Sequence, residues 1–473
     1  MKLGTAVKSI LFATAMSYPL AVVAEEGGGK ALYDEHCAAC HGDKLQGGIG
    51  SSFLDRVWNY GGQPFLIGMN VKYGLPNLEM PAWEGKLSDD EIMSIIGYIL
   101  AEEKKSDLTP PPMARQAKTE LYNLKIDILA DHLDTPWAMA FTSVTQALIT
   151  DRAGKIYLME NGVVQKDAIK DTPDDIIQGG QAGLLDIALD PEYDKNGWIY
   201  LSYSHLLSPT DDPKKMKSFT RIVRGRITDG RWHDQEIIWQ ADDKFYTTMR
   251  HHYGSRIVFD RKGDLYFSVG DRGVMKQAQD ITQPNGKIHR IHRDGRIPTD
   301  NPFIGQPDAV TSIFTYGNRN PQGMATHPVT GGIWSTEHGP MGGDELNHIR
   351  RGLNYGWPEI TYGRDYDGST ISKYTSKPGM EQPVTHWTPS IAVADIDFHP
   401  GKMFPKWKND LLVTSLKYRE LRRLVVKEGK VTHQEILLKG LGRTRSVTVA
   451  PDGAIYLLLK DPSLVLRVSP QAE

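Results

Sequence analysis

From about residue 123 to the C-terminus, one phrase recurs six times: a turn containing Asp, Pro or Gly, then an apolar segment that opens with an aliphatic and an aromatic residue. The six copies are "DRAGKIYLME" from 151, "DPEYDKNGWIYLSYS" from 190, "FDRKGDLYFSVG" from 259, "HPVTGGIWSTEHG" from 327, "HPGKMFPKWKNDLLVTSLK" from 399 and "PDGAIYLLLK" from 451. Intervals of about 40 to 70 residues indicate repeated sheets rather than one continuous sheet. The pattern favours an all-β propeller whose last blade is closed by strands from both ends. A β-sandwich, or two small β-domains, is the alternative.

The character of the chain changes near residue 109. Before it, "KALYDEHCAAC" and "LSDDEIMSIIGYILAEEKKS" carry apolar residues at helical spacing, and Ser88 is the expected N-cap of the second helix. The stretch "LTPPPMARQAK" is held extended by its three prolines. We therefore expect a small all-α domain at 25–108, a Pro-rich linker at 109–122 and the β-domain at 123–473.

Residues 1–24 have the pattern of a cleavable secretory signal, in which a basic start precedes an apolar run with small residues at its end. An uncleaved membrane anchor is the alternative, although the run is shorter than the roughly 20 residues that a span needs. The formal charge of -3, from 55 basic and 58 acidic residues, argues against nucleic acid or an anionic membrane as the principal partner. We expect an exported, soluble, periplasmic protein.

The only two cysteines of the chain lie in "CAACH", residues 37–41. This is the attachment signature of haem c, in which Cys37 and Cys40 bond the porphyrin and His41 is one axial ligand of iron. The second ligand is expected to be Met80 in "EMPAW", with Met69 as the competitor. Residues 28–103 resemble a class I cytochrome c domain, which implies electron transfer rather than substrate chemistry.

Several polar stretches of the β-domain lie where an apolar strand meets a loop. His252 precedes a Gly-Ser turn, and a histidine near neutral pKa can take a proton from a hydroxyl group. Arg443 and Arg445 are two apart, so on a strand they share one face and suit a ligand with several carboxylates. Lys417 follows an apolar strand, and Arg319 supplies a further cation. Each of these residues also has a purely structural alternative, as a hydrogen-bonded histidine or a solvated charge.

The stretch "STEHGPMGGDELN" predicts a calcium loop. The carbonyls of Gly339 and Pro340 can point at a cation, with Asp344 and Glu345 close behind, and calcium prefers oxygen ligands. Gly, Pro and Asp are also ordinary turn-forming residues, which is the alternative.

Together these stretches resemble the soluble quinoprotein sugar dehydrogenases, six-bladed propellers that carry pyrroloquinoline quinone (PQQ) and calcium. The resemblance covers roughly residues 123–470. The matching stretches, in order, are "LDTPWAMAF", "GGQAGLLDIALDP", "HYGSRIVFD", "SVGDRG", "YGNRNPQG", "EHGPMGGDELN", "NYGWP", "LK" at 416 and "RTRSV".

This resemblance implies a role for each polar residue. His252 is the base that takes the proton of the sugar hydroxyl while hydride passes to the quinone, and Asp271 and Gln181 line the substrate side. Arg319 is aimed at the quinone oxygen on which negative charge develops. The residues that correspond to the family's quinone-binding positions are Arg319, Asn320, Ser390, Lys417, Arg443 and Arg445. Gly339 and Pro340 correspond to the calcium ligands.

The sequence departs from the family in three ways. A turn after "PW" is "TSVTQ", position 251 is a second histidine that is also a candidate base, and the fused cytochrome is not general in the family. The expected function is a periplasmic quinohaemoprotein that oxidises an aldose-type sugar and passes electrons through haem c to a cytochrome or copper protein. The alternatives are a metal-dependent lactonase-type hydrolase and a non-catalytic haem-linked sugar sensor.

Overall fold

The computed structural model describes residues 28–48, 50–58, 60–75, 80–107, 113–366 and 368–471. The predicted signal peptide, residues 1–24, lies outside this part of the chain. The chain divides into two compact units after Pro111, close to the predicted domain boundary. Its described residues form five α-helices and 25 β-strands.

The N-terminal unit is helical. Its helices are α1 (Gly28–His36), α2 (Ala38–His41), α3 (Pro64–Tyr73) and α4 (Asp89–Lys105). Ser88 caps α4 as predicted, because its hydroxyl oxygen accepts from the Glu91 N–H while the Glu91 carboxylate accepts from the Ser88 N–H. The buried face of α4 carries isoleucines at helical spacing, and both α1 and α3 pack on this helix.

Gly29 allows α1 to approach α4 closely. A Cβ atom at this position would overlap the carbonyl oxygen of Ser94 on α4. The two helices therefore contact each other through backbone, which requires glycine at that point.

The second unit is a propeller of six antiparallel sheets. The strands of blade 1 are β3 (Pro136–Phe141), β4 (Gln146–Asp151), β5 (Lys155–Glu160) and β6 (Val163–Ala168). Those of blade 2 are β7 (Leu184–Leu189), β8 (Ile199–Leu206), β9 (Ser218–Thr228) and β10 (Arg231–Gln240), with the short helix α5 (Tyr193–Asn196) after β7. Those of blade 3 are β11 (Ile257–Phe259), β12 (Leu265–Val269), β13 (Lys287–Ile291) and β14 (Ile313–Tyr316).

The remaining blades follow the same order. The strands of blade 4 are β15 (Pro321–Thr326), β16 (Ile333–Glu337), β17 (Asp344–Ile349) and β18 (Thr385–Trp387). Those of blade 5 are β19 (Val393–Phe398), β20 (Leu411–Ser415), β21 (Glu420–Lys427) and β22 (Lys430–Lys439). Those of blade 6 are β23 (Arg443–Val449), β24 (Ile455–Lys460), β25 (Leu464–Pro470), β2 (Asn123–Ala130) and β1 (Gln116–Lys118).

Blade 6 closes the propeller with strands from both ends of the unit, because β2 pairs with β25 in antiparallel register. The first strand of each blade contacts the first strand of the next, and β23 contacts β3, so the inner strands form a closed ring. The hydrophobic clusters lie between neighbouring sheets; one, for example, joins blades 5 and 6. The predicted fold class is confirmed, and the sandwich alternative is wrong.

Two details differ from the sequence prediction. Five of the six repeated phrases contain the second strand of a blade, but "DRAGKIYLME" contains β5, the third strand of blade 1. Blade 1 is the blade in which "TSVTQ" replaces the usual turn, so its second strand lacks the repeated phrase. In addition, residues 116–118 of the predicted linker form strand β1, because their main chain pairs with β2. Within the described residues, no helix is both long and apolar enough to span a membrane.

Candidate active site

The predicted site residues of the propeller lie at the same kind of position in different blades. In an antiparallel blade, the start of the first strand and the end of the second strand lie at one edge. The residues at or just before a first strand are Gln181, His252, Arg319, Asn320, Ser390, Arg443 and Arg445. Those just after a second strand are Asp271, Gly339, Pro340 and Lys417. The fold therefore brings the whole predicted set to one end of the propeller.

His252 and Asp271 form a close, buried pair at this end. Nδ1 of His252 lies 2.6 Å from Oδ1 of Asp271, and the two side chains are 14% and 1% exposed. Asp271 also accepts from the Gly273 N–H at 2.8 Å and, through Oδ2, from Nε1 of Trp357 at 2.8 Å. Both carboxylate oxygens are thus used by protein donors. Asp271 is placed to orient His252.

The Asp271 contact fixes the tautomer of His252. A carboxylate that accepts at Nδ1 leaves the proton there, so Nε2 carries the lone pair. Burial lowers the pKa of His252 to about 4, although the hydrogen bond to Asp271 acts in the opposite direction. Burial alone would raise the pKa of Asp271, but the hydrogen bond from His252 and the charge of Arg319 hold it below its usual range. At neutral pH the pair is a neutral imidazole beside a carboxylate.

Gln181 contacts the backbone of the candidate base. Its Oε1 accepts from the His252 N–H at 2.8 Å. Its amide nitrogen forms no hydrogen bond within the part of the chain that the structure describes, so this group is left for a ligand. His251, the other candidate base, packs edge to face on the His252 ring at 4.8 Å, and burial lowers its pKa as well. Asp271 contacts Nδ1 of His252, which supports His252 as the base.

Four cations surround the same end: Arg319, Lys417, Arg443 and Arg445. None of the four forms an ion pair with a carboxylate of the described residues. Burial lowers the pKa of Lys417 to about 8, with Asp344 acting in the opposite direction. Burial, together with the charge of Arg443, lowers the pKa of Arg445 to about 9. Arg319 is buried and the other three cations are half-buried. Cations removed from water without an acidic partner are costly, so this cluster fits a polyanionic ligand such as a tricarboxylate.

The two uncharged residues of the predicted quinone-binding set, Asn320 and Ser390, already form hydrogen bonds within the protein. Oδ1 of Asn320 accepts from the Gly254 N–H at 3.1 Å, which ties it to the turn after His252. The hydroxyl of Ser390 donates to Oδ1 of Asp344 at 2.8 Å. The Ser390 hydroxyl oxygen also accepts from the Ala392 N–H at 3.1 Å, so one lone pair of this oxygen and the amide nitrogen of Asn320 remain for a cofactor.

The predicted calcium turn follows β16. The Gly339 N–H donates to Oδ1 of Asp344 at 2.9 Å, and the Gly339 carbonyl accepts from Nη1 of Arg319 at 3.3 Å. A carbonyl has two lone pairs, so a second interaction is still available to Gly339. No cluster of three or more His, Cys, Asp or Glu side chains suited to a metal ion occurs in the described part of the chain.

The haem motif lies in the N-terminal unit. Cys37 is half-buried and Cys40 is exposed, and both Cys37 and Met80 pack against the helical core. Nδ1 of His41 lies 3.0 Å from the Ser51 carbonyl, and the ring stacks on Phe53 at 4.4 Å. A histidine that donates through Nδ1 presents Nε2 to a metal, so the arrangement fits an axial ligand.

Sequence reasoning missed His338, which lies inside the cationic cluster. Burial lowers the pKa of His338 well below its usual range, and the nearby charges of Arg445, Arg319 and Arg443 act in the same direction. Its main-chain carbonyl accepts from Nη1 of Arg319 at 3.1 Å. The signal was its position in "EHGP", directly before the predicted calcium turn.

Two further residues had no assigned role. Trp357, in "NYGWP", binds Asp271 and lies under the guanidinium of Arg319 at 5.4 Å. Gln322, in "NPQG", accepts from Nη1 of Arg445 at 3.0 Å and donates to the Gly254 carbonyl at 3.2 Å. Their motifs were visible in the sequence, but their partners are distant along the chain.

Comparisons with known proteins identify the family of the propeller. Residues 133–466 match the family described as glucose/sorbosone dehydrogenase. The chain belongs to this family. The protein is therefore an oxidoreductase of the glucose/sorbosone dehydrogenase type, and the predicted resemblance to the sugar dehydrogenases is confirmed.

Among relatives in the glucose/sorbosone dehydrogenase family, the aldose sugar dehydrogenase YliI of Escherichia coli is 37% identical over 355 residues, which cover 74% of this chain and 93% of the relative. A crystal structure of the soluble aldose sugar dehydrogenase from Escherichia coli, in the apo form, superposes with a TM-score of 0.68 at 36% identity, covering 74% of this chain and 100% of that one. The quinoprotein glucose dehydrogenase B of Acinetobacter calcoaceticus is 27% identical over 435 residues, covering 75% of this chain and 88% of the relative.

The N-terminal unit has a separate match. Residues 24–99 match the family described as cytochrome c oxidase, cbb3-type, subunit III. The predicted cytochrome c-type domain is confirmed. The protein thus joins a cytochrome c domain to a glucose/sorbosone dehydrogenase propeller.

Proposed function

We propose that the protein is an exported quinohaemoprotein that oxidises a hydroxyl group of an aldose-type sugar. His252 would take the hydroxyl proton, bound PQQ would supply the hydride acceptor, and haem c in the N-terminal unit would supply the route for electrons to a periplasmic cytochrome or copper protein. The observation that carries the proposal is the neutral, Asp271-oriented His252 at the same propeller end as four cations that pair with no carboxylate of the described residues.

The chemistry of the site supports a base at His252. A general base must be unprotonated at the operating pH and must expose its lone pair to the substrate. A pKa of about 4 leaves the imidazole neutral across the physiological range. The Asp271 carboxylate stabilises the imidazolium that forms when Nε2 takes the proton. The free amide nitrogen of Gln181 is suited to bind a sugar hydroxyl next to His252.

The cations fit the tricarboxylate of PQQ. Arg443 and Arg445 can each bind a carboxylate through two N–H groups, and Lys417 supplies a third positive charge. Bound PQQ supplies the electrophilic carbonyl that accepts hydride. Calcium, held by the carbonyls of Gly339 and Pro340, would assist Arg319 in stabilising negative charge on that ligand.

The N-terminal unit provides the outlet for electrons. Cys37 and Cys40 would bond haem c covalently, and His41 and Met80 would coordinate its iron. A thioether ligand raises the reduction potential of haem iron, which suits an electron acceptor. Because both units belong to one chain, the transfer is intramolecular and does not depend on protein concentration.

The test is anaerobic haem reduction in the full-length protein. The oxidised haem protein is mixed with PQQ, calcium and a panel of aldoses, and the haem spectrum is followed. We expect reduction only when both PQQ and a sugar are present, and we expect it to be lost in His252→Ala. His233→Ala, which changes a histidine on the outer strand β10, is the matched control and should behave as the unmodified protein.

The other outcomes separate the alternatives. If PQQ binds but no sugar reduces the haem, the protein is not an aldose dehydrogenase coupled to haem, and sugar binding without turnover would indicate a sensor. If PQQ does not bind, the quinoprotein proposal fails and lactone hydrolysis with added metal becomes the next assay.

A further inference from the structure

Both polar groups of the peptide bond between His251 and His252 form hydrogen bonds with side chains. The His252 N–H donates to Oε1 of Gln181 at 2.8 Å, and the His251 carbonyl accepts from Nη1 of Arg272. His252 itself has a φ angle of 54°, in the left-handed region. A non-glycine residue in this region is strained and persists only when its surroundings enforce it. The two hydrogen bonds fix the peptide plane that precedes the base.

Arg272 is buried next to this backbone segment. Its side chain is 0% exposed, its Nη2 donates to the Met249 carbonyl, and its guanidinium stacks on the Tyr253 ring at 3.5 Å. It forms no ion pair with any carboxylate in the described ranges, and burial lowers its pKa. A buried guanidinium that binds only carbonyls and a ring is costly. Because Arg272 is fully buried, it does not reach a ligand.

Asp271 and Arg272 are adjacent in the loop after β12, and they hold two different parts of the same segment. Asp271 binds the imidazole of His252, whereas Arg272 binds the main chain just before it. Gly273, with a φ angle of 78°, completes this loop, since a Cβ there would overlap Nε2 of His251. The loop therefore sets both the backbone and the ring orientation of the base.

We propose that Arg272 is a positioning residue for the base His252, an inference that rests on the proposed function. Arg272 holds the carbonyls of Met249 and His251, so that the left-handed turn at His252 presents Nδ1 to Asp271 and leaves Nε2 for the substrate. Without these two bonds the 249–252 segment relaxes toward ordinary backbone angles, and the imidazole leaves Asp271.

The test combines kinetics with a signal that needs neither PQQ nor sugar. Arg272→Met removes both hydrogen bonds, and Arg272→Lys keeps the charge but cannot bind two carbonyls with the fixed fork of a guanidinium. Arg290→Met is the control, because Arg290 is a buried guanidinium in the same blade that binds Asp264 instead. The ring nitrogens of His252 are observed by NMR of the histidine-labelled full-length protein, with the signals assigned through His252→Gln.

We expect the unmodified protein and Arg290→Met to show one His252 tautomer, protonated at Nδ1. Arg272→Met should show a mixture of tautomers and a kcat about 100-fold lower, since a displacement of about 1 Å in a catalytic group costs that much. Its KM should change far less. For Arg272→Lys we expect a kcat between those of the unmodified protein and Arg272→Met.

The outcome that overturns the proposal is a single Nδ1–H tautomer in both Arg272 variants, with kcat within about twofold of the unmodified protein. Arg272 would then be a purely structural residue, whatever the loss in melting temperature. If Arg272→Met does not fold, the His252 tautomer and the kcat of Arg272→Lys alone test the proposal. Failure of the proposed function is distinguishable, because the tautomer is measured in the absence of sugar and PQQ.

Discussion

Oδ1 of Asp271 accepts a hydrogen bond from Nδ1 of His252 at 2.6 Å, across 19 residues of sequence. The other oxygen of the same carboxylate accepts from Nε1 of Trp357 at 2.8 Å. The carboxylate therefore lies between two N–H donors, and an uncharged amide cannot accept from both of them.

This arrangement predicts the effect of Asp271→Asn. One end of the asparagine amide is a donor, so it opposes either His252 or Trp357, and the tautomer and orientation of the base are disturbed. Loss of a carboxylate that orients a catalytic histidine costs up to about 10⁴-fold in kcat in a hydrolase triad. We expect a fall of at least about 100-fold in kcat with a smaller change in KM.

The matched control for that change is Asp280→Asn. Asp280 lies in the same loop but is exposed and accepts from Thr282. Steady-state kinetics of the two variants should differ strongly. Equal kcat values in both would show that Asp271 does not orient the base.

The cation cluster predicts a pH dependence for PQQ binding. The pKa of Lys417 in the ligand-free protein is lowered to about 8 by burial. Above that pH the ammonium is neutral, and a carboxylate ligand can bind well only if Lys417 takes up a proton. PQQ affinity should therefore be constant below about pH 8 and should weaken by up to about tenfold per pH unit above it.

Equilibrium titration of the haem protein with PQQ, on both sides of this pH, measures the effect. Lys417→Met should bind PQQ more weakly at low pH and should lose this part of the pH dependence. A Lys417→Met variant with an unchanged pH profile would assign the titration to another group.

The close approach of α1 and α4 predicts that Gly29→Ala destabilises the cytochrome unit. The added Cβ overlaps the Ser94 carbonyl, so the helices must separate, at a cost of about 1 to 3 kcal/mol. Gly28→Ala is the control, because nothing lies within 4 Å of a Cβ at that position. Denaturant unfolding followed by the haem absorbance should show a lower midpoint for Gly29→Ala alone.

If Met80 is the second ligand of the haem iron, substitutions of Met80 and Met69 should have different effects on the haem. Met80 forms an isolated antiparallel bridge with Leu75, whereas Met69 lies within α3. Met80→Ala should lose the sulfur-to-iron charge-transfer band and should lower the reduction potential, because a thioether ligand raises it. Met69→Leu should keep both properties. Both properties are measured by absorption spectroscopy and potentiometric titration. If they are lost in Met69→Leu and kept in Met80→Ala, Met69 is the ligand.

Much of the fold was predictable because its signals are local. The repeated turn-and-strand phrase predicted a propeller, Ser88 predicted the start of α4, and the change in composition near residue 109 predicted two domains. Blade 1 was predicted least well, since its second strand lacks the phrase. Strand β1 was not predicted either, because the sequence of a proline-rich extended linker does not differ clearly from that of an edge strand.

The sequence alone determined the types of chemistry: a covalent haem from "CAACH", a cationic cluster from Lys417 and the two arginines of "RTRSV", and a candidate base in "HHYG". Only the tertiary structure decided which groups meet. Asp271 binds the ring of His252 and not that of His251, Arg272 and Gln181 bind the main chain next to His252, and His338 lies close to the cations. These contacts join residues from different blades and loops, and their distances depend on how the closed ring places the strand ends, which no local pattern encodes.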